Sequence, residues 1–271
     1  MNRGLFLKAA REHWPATLSF GAAIFLVETV HAYVMPSIQA QFGAQWAQLK
    51  LIQSVVQAML GTDASGGMGP EMFLSIAWVH PVVLAIVWAH AIVCSTRMPA
   101  GEVDRGTMDV LLGLPVSRRE VFVAETGAVG SGALCVLTLA WIGNRIGGSI
   151  ASAPLHAPAS RVGIVLLNLL CLYLAVGGFG VFVSALSDRR GKAMAVVFIA
   201  VLASFLLNYL AQFWEPAKRV SFLSLMTYYR PFFILRGGSW PAADMAILAG
   251  MGSAAWLAAG VVFSKRDLST V

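Results

Sequence analysis

RVGIVLLNLLCLYLAVGGFGVFVSALS, residues 161–187, decides the fold class. It carries one charge, Arg161, at its first position and none after it. A helix rises about 1.5 Å per residue and a bilayer's hydrocarbon core is about 30 Å thick, so about 20 apolar residues cross it. This run is long enough, and it lacks the period-two alternation of a membrane β-strand. Similar runs stand at 16–36, 72–96, 119–143, 191–212 and 241–264. The composition agrees: of 271 residues 58% are hydrophobic and only 12% charged. A soluble domain carries about 25% charged residues. The reading is an all-α polytopic membrane protein with six transmembrane helices, forming one transmembrane domain over 1–271.

The net charge of +6 would suggest nucleic acid in a soluble domain. Here Lys and Arg fall between the spans, where they set orientation, and no nucleic-acid role is expected. Arg3, Lys8, Arg11, Arg97, Arg105, Arg118, Arg119, Arg189, Arg190, Lys192, Lys265 and Arg266 share the side of the N-terminus. Lys50, Arg145, Arg161, Lys218, Arg219, Arg230 and Arg236 lie on the other. The excess predicts cytoplasmic termini. Cys94, Cys135 and Cys171 lie inside apolar runs and form neither a disulfide framework nor a CxxC pair. The first run is too long for a signal peptide and has no clear small-x-small cleavage site, so it reads as a retained span.

Two outer segments are long. Over 38–60, Phe42, Trp46, Leu49, Ile52, Val56 and Leu60 recur at helical spacing with glutamines mostly between them, which predicts an amphipathic interfacial helix. GTDASGGMGPE, 61–71, reads as a flexible turn. Residues 213–240, with aromatic residues around Pro231, read as interfacial or re-entrant. Ala246, Gly250, Ala254 and Ala258 recur every four residues, and Gly127 and Ser131 stand beside Ala124 and Ala128. Such spacing lets helices approach closely; packing within the chain is expected ahead of a dimer contact.

GEVDRGTMDVLLGLPVSRRE, 101–120, interrupts the apolar pattern. As one helix over 101–114 it would align Val103, Thr107, Val110, Leu111 and Leu114 on one face. Glu102, Arg105 and Asp109 would share another. Pro115 would end it. Ser117 and Glu120 then form a capping box, with Val116 and Val121 spaced as the hydrophobic staple. The insert would thus be a two-faced helix acting as a lever on the third span.

These residues carry a resemblance. Glu102, Arg105-Gly106-Thr107, Asp109, Leu111-Leu112 and Leu114-Pro115-Val116-Ser117-Arg118 resemble the E-x-x-x-G-T-x-x-x-L-L-x-x-P-V-S-R segment of ABC type-2 transporter permeases, the membrane subunits of many bacterial ATP-driven exporters. SLMTYYRP at 224–231 and the ending Phe263-Ser264-Lys265-Arg266-Asp267-Leu268 are also similar to that family. The resemblance implies a cytoplasmic coupling helix that docks on a separate ATP-binding cassette ATPase. Glu102 and Arg105 would supply polar contacts. Gly106 would allow close approach, Thr107, Asp109 and Leu111 would lie on the helix, and Pro115, Ser117 and Arg118 would form the corner. The turn at 188–192 would add a contact. It further implies a dimer with a second copy or a sister permease, membrane lipids as neighbours, a bacterial inner-membrane location, and export of an amphipathic or hydrophobic substrate. ATP and Mg would be bound by the partner: this chain has no G-x-x-x-x-G-K-[ST] loop, carries no cofactor and is not expected to be an enzyme.

Glu28 and His31 lie one turn apart in the first run, where an unpaired ionisable residue costs about 2.5–3.5 kcal/mol on insertion scales. With His80 they are candidates for a substrate path or gate. His80-Pro81 predicts a kink in the second run, and His90 lies nearer the cytoplasm. A metal site would need these groups to converge in space. Asn144 and Arg145 are expected to face outer headgroups. Two other readings stay open: an intramembrane enzyme, or an ion-coupled secondary transporter using Glu28 and His31. Against the first stands the absence of HExxH, against the second the absence of a clear internal repeat.

Overall fold

The computed structural model describes residues 2–42, 48, 50–61, 69–151 and 157–266, and every regular element in them is helical. Trp46 and Leu49 of the expected amphipathic helix, most of the turn at 61–71, and Asp267-Leu268 lie outside the described residues. Helix α1 (Arg3–Phe42) runs unbroken through Pro15 and Pro36. A short α2 (Lys50–Leu60) follows. The second span comes in two pieces, α3 (Pro70–Val79) and α4 (Pro81–Ser95). Pro81 has no N–H to donate and forces the preceding residue out of the helical region. The break therefore falls at His80, whose ring Nδ1 accepts from the Val82 N–H at 3.3 Å. The expected kink is there.

Two short helices, α5 (Glu102–Asp104) and α6 (Met108–Leu112), lead to the long α7 (Arg118–Ile150). Then come α8 (Ala159–Leu186), α9 (Arg190–Leu210), α10 (Glu215–Arg219), α11 (Pro231–Gly237) and α12 (Ala242–Lys265). Among the described residues α1, the α3–α4 pair, α7, α8, α9 and α12 are long and apolar enough to cross a membrane. Alternating crossings bring Arg3 and Lys265 to one face, here called the terminal face. The opposite, or far, face carries α2, α10 and α11. Asn168 on α8 pins the segment before α11: its amide donates to the Tyr228 carbonyl at 3.1 Å and its oxygen accepts from the Arg230 N–H at 2.9 Å. The Tyr229 hydroxyl donates to the Trp78 carbonyl at 3.1 Å. These contacts satisfy backbone groups that lipid could not.

The spans pack most extensively as α1 on α7 and α12 on α8. Glycine makes both contacts possible. A Cβ on Gly143 or Gly147 would stand 2.3 Å from the Phe25 carbonyl or 2.1 Å from that of Thr29. One on Gly178 would stand 2.3 Å from the Gly252 carbonyl. Here the sequence expectation is corrected. Gly252, not the Ala246–Gly250–Ala254–Ala258 stripe, forms the internal contact of α12. Ala246, Gly250 and Ala254 are exposed, and a Cβ on Gly250 would meet nothing within 4 Å. The inward face of α12 is instead Met245, Leu248, Gly252, Ala259 and Phe263. Ile24, Trp78, Leu84, Leu169, Leu172 and Ile234 fill the core between the helices. The outside stays apolar: Phe198, Ile199, Leu202 and Leu206 of α9 are exposed, as suits a helix facing lipid or another membrane protein.

Candidate functional site

Between α4 and α7 the chain makes an elbow on the terminal face. The backbone leaves helical geometry at Met98 (φ −126°, ψ 133°), and this kink in Arg97–Gly101 leads through α5 and α6. The expected continuous helix over 101–114 does not form. Gly106 takes φ +68°, a left-handed conformation that glycine adopts at little cost, and it splits the segment. The expected apolar face is therefore divided. Met108 and Leu111 turn inward and join Met98, Val121, Phe122, Val181, Ala185 and Phe263. Val110 and Leu114 are left 73% and 48% exposed.

Glu102 is only 5% exposed, so its carboxylate is held inside the elbow. Arg105 Nη2 donates to its Oε1 at 2.7 Å and the Thr107 hydroxyl to its Oε2 at 2.5 Å. Arg97 Nη2 lies 3.9 Å from Glu102 Oε1 and 2.9 Å from Glu12 Oε2 on α1. Lys8 completes the chain at 3.0 Å from Glu12. A line of alternating charge thus joins α1 to the elbow. Arg105, Gly106, Thr107, Asp109, Pro115 and Ser117 are exposed around it.

The elbow is tied to other spans as well. The Ala100 N–H donates to Ser184 Oγ on α8 at 3.1 Å. The capping box forms as expected: Ser117 Oγ accepts the Glu120 N–H at 3.2 Å, and Glu120 Oε2 accepts the Ser117 N–H at 2.9 Å. Val116 and Val121 pack in one cluster beside it. Arg118 Nη1 donates to the Arg266 carbonyl at 2.6 Å, and Arg266 pairs with Asp188 in the turn before α9. The 188–192 turn therefore lies beside the elbow.

Toward the far face a buried polar cluster brings the expected Glu28, His31 and His80 together. Glu28 is fully buried, and Asn144 Nδ2 donates to its Oε2 at 2.9 Å. Asn144 thus points into the bundle, against expectation, because a buried carboxylate takes any donor within reach; Arg145 is exposed. His31 Nδ1 is 3.9 Å from Glu28 Oε1, and its ring meets that of His80 edge-on at 4.6 Å. Glu28 Oε1 and His31 Nδ1 have no hydrogen-bond partner among the described residues. Those residues contain no group of three His, Cys, Asp or Glu side chains placed to hold a metal.

A second buried cluster was not read from the sequence. His90 lies between Thr17 Oγ1, 3.2 Å from Nε2, and the Tyr173 hydroxyl, 2.9 Å from Nδ1. His13 Nε2 is 3.1 Å from Glu125 Oε2. Glu125 is thus a second buried acid within a span, beside Glu28. Its nearness to the Ser117 cap hid it, since it stands only seven residues past the helix start at Arg118. Tyr173 also lines a cleft of about 380 Å³ between α7, α8 and α12, with Gly130, Gly177 and Trp256 among others.

Residues 13–268 match the family model described as ABC-2 family transporter protein. No curated protein and no solved structure matches the chain. The matched range takes in the whole elbow and every candidate span except the part of α1 before His13. On that match, with its six membrane helices, the chain belongs to the ABC-2 transporter family and is a permease subunit of an ABC transporter.

Proposed function

We propose that this permease exports an amphipathic or hydrophobic substrate, driven by a separate ATP-binding cassette subunit that docks on the elbow. The terminal face is cytoplasmic in this reading. ATP and Mg belong to the partner, and the working unit is a dimer with a second copy or a sister permease, in a bacterial inner membrane among its lipids. One observation carries the reading. The elbow exposes an apolar knuckle, Val110 and Leu114, beside Arg105, Thr107 and Asp109, while its other groups bond it to α1, α7 and α8.

The mechanism follows from those bonds. A docked ATPase covers Val110 and Leu114, whose exposed area in water is unfavourable by about 25 cal/mol per Å². Arg105 and Asp109 set its register through charge. When the ATPase moves, α6 cannot move alone. The capping box passes the displacement to α7, the Arg97–Glu12 pair to α1, and the Ala100–Ser184 bond to α8. Rigid helices then carry it through the membrane. Glu102 is the positioning group at the centre, and Arg105 and Thr107 each serve both Glu102 and the outer surface.

The test is purification with a candidate ATP-binding cassette ATPase, in nanodiscs, followed by ATP hydrolysis. Val110→Asp is expected to abolish complex formation. Arg105→Ala should weaken it, and Glu102→Ala should leave the complex but uncouple hydrolysis from transport. A chain that binds no ATPase would end this reading.

A further inference from the structure

On the far face two clefts lie side by side. One, of about 260 Å³, is lined by Lys218 and Arg230 with the polar side chains of Asn208, Gln212 and Thr227. The other, of about 360 Å³, is lined by Arg230, Phe232, Phe233 and Arg236. Leu60, Gly61 and Arg230 line both, so the two are neighbours. Three cations line this surface and no acid does, among the described residues. Two of the cations are paired from outside the clefts: Arg230 Nε with Asp244 at 3.1 Å, and Lys218 with Glu215 at 3.5 Å, where both partners are largely exposed. Arg236 pairs with no acid among the described residues; its guanidinium sits 5.9 Å from the Phe232 ring centroid. Positive charge thus lies directly against an aromatic and aliphatic wall.

We propose that this groove binds a single-chain anionic amphiphile, with its headgroup at Arg230 and Arg236 and its alkyl chain along Leu60, Phe232 and Phe233, and that this is the class of cargo the permease moves. The assignment rests on charge complementarity and on size. The second cleft, about 360 Å³, is near the low end of the range for small-ligand sites, about 300–1,000 Å³, which suits one alkyl chain rather than two. Guanidinium forks favour carboxylate, sulfate or phosphate headgroups over uncharged ones. A cationic headgroup would be repelled by Arg236, which no acid among the described residues offsets. The cargo assignment rests on the permease reading above; the binding itself does not.

The experiment titrates the chain in phosphatidylcholine nanodiscs with dodecyl phosphate, dodecyl maltoside and dodecyltrimethylammonium, reading binding by thermophoresis. The anionic amphiphile should bind tightest and the cationic one weakest. Arg236→Gln should weaken dodecyl phosphate about tenfold, the factor of one lost charge-assisted contact, and leave dodecyl maltoside unchanged. Arg236→Lys, which keeps the charge, should retain most of the preference and controls for folding. Equal binding of the three probes, or an Arg236→Gln variant that keeps the preference, would overturn the site. Displacement of dodecyl phosphate by phosphatidylglycerol placed in the nanodisc would make the occupant a bilayer lipid and overturn the cargo assignment. Specific binding by a chain that engages no ATPase would leave the site standing while ending the transporter reading.

Discussion

Glu102 and Glu28 are both buried acids, yet their surroundings assign them different work. Glu102 is bonded by Arg105 and Thr107 and lies near Arg97. Glu102→Ala would release both donors and leave the mostly buried Arg97 with one acid instead of two. The lost charge-assisted bonds are worth roughly 2 kcal/mol. Amide exchange over 103–112 should accelerate about 30-fold, the equivalent of that energy if opening is local. Unchanged exchange would show that the elbow is held by its apolar contacts alone. Glu28 has one oxygen bonded by Asn144 and one without a partner. Glu28→Gln keeps an acceptor for Asn144, so thermal stability and assembly should persist while transport changes. Lost assembly in that variant would assign Glu28 to structure and not to the substrate path.

At the scale of helices, the α1–α7 contact depends on the absence of two side chains. In an exposed helix interior Gly→Ala is favourable by about 1 kcal/mol. Gly147→Ala should do the opposite, since its Cβ would overlap the Thr29 carbonyl and the two backbones would have to separate. Its thermal midpoint in detergent should fall, whereas Gly250→Ala should leave it level or raise it, because nothing lies within 4 Å of that Cβ. The reverse order would mean that α12, and not α1, is the tightly held helix. Helical spacing named the Ala246–Gly250–Ala254–Ala258 stripe but not Gly143, Gly147 or Gly252. In lipid both sides of a helix meet apolar surroundings, so the pattern does not say which side faces protein. Gly106 was hidden for a similar reason. Helices tolerate an isolated glycine at modest cost, and only the inward pull of Met108 and Leu111 turns this one into a break.

For the whole molecule, the proposed orientation puts the elbow in the cytoplasm and α10 outside. After replacement of Cys94, Cys135 and Cys171, a Leu114→Cys variant should react with a membrane-impermeant maleimide only in inside-out vesicles. Trp214→Cys should react only in right-side-out ones. Both side chains are exposed in the fold, so access to reagent is decided by the bilayer alone. The opposite pattern would invert the positive-inside assignment and remove the elbow from any cytoplasmic ATPase.

Sequence alone determined the class and the order of parts: six apolar runs, a charged elbow between the second and third, a Pro-induced break at His80, and the Ser117–Glu120 cap. Each of these depends on local chemistry, on hydropathy over about 20 residues or on hydrogen bonds a few residues apart. Tertiary structure decided the rest. It turned Asn144 inward to Glu28, set His90 between Thr17 and Tyr173, buried Glu102 and chose Gly252 over Gly250. Those outcomes join residues far apart in the chain, and which faces meet depends on helix rotation. Helix rotation in a membrane is set by side-chain fit and buried polar pairing, not by hydrophobicity, which is nearly the same on every side.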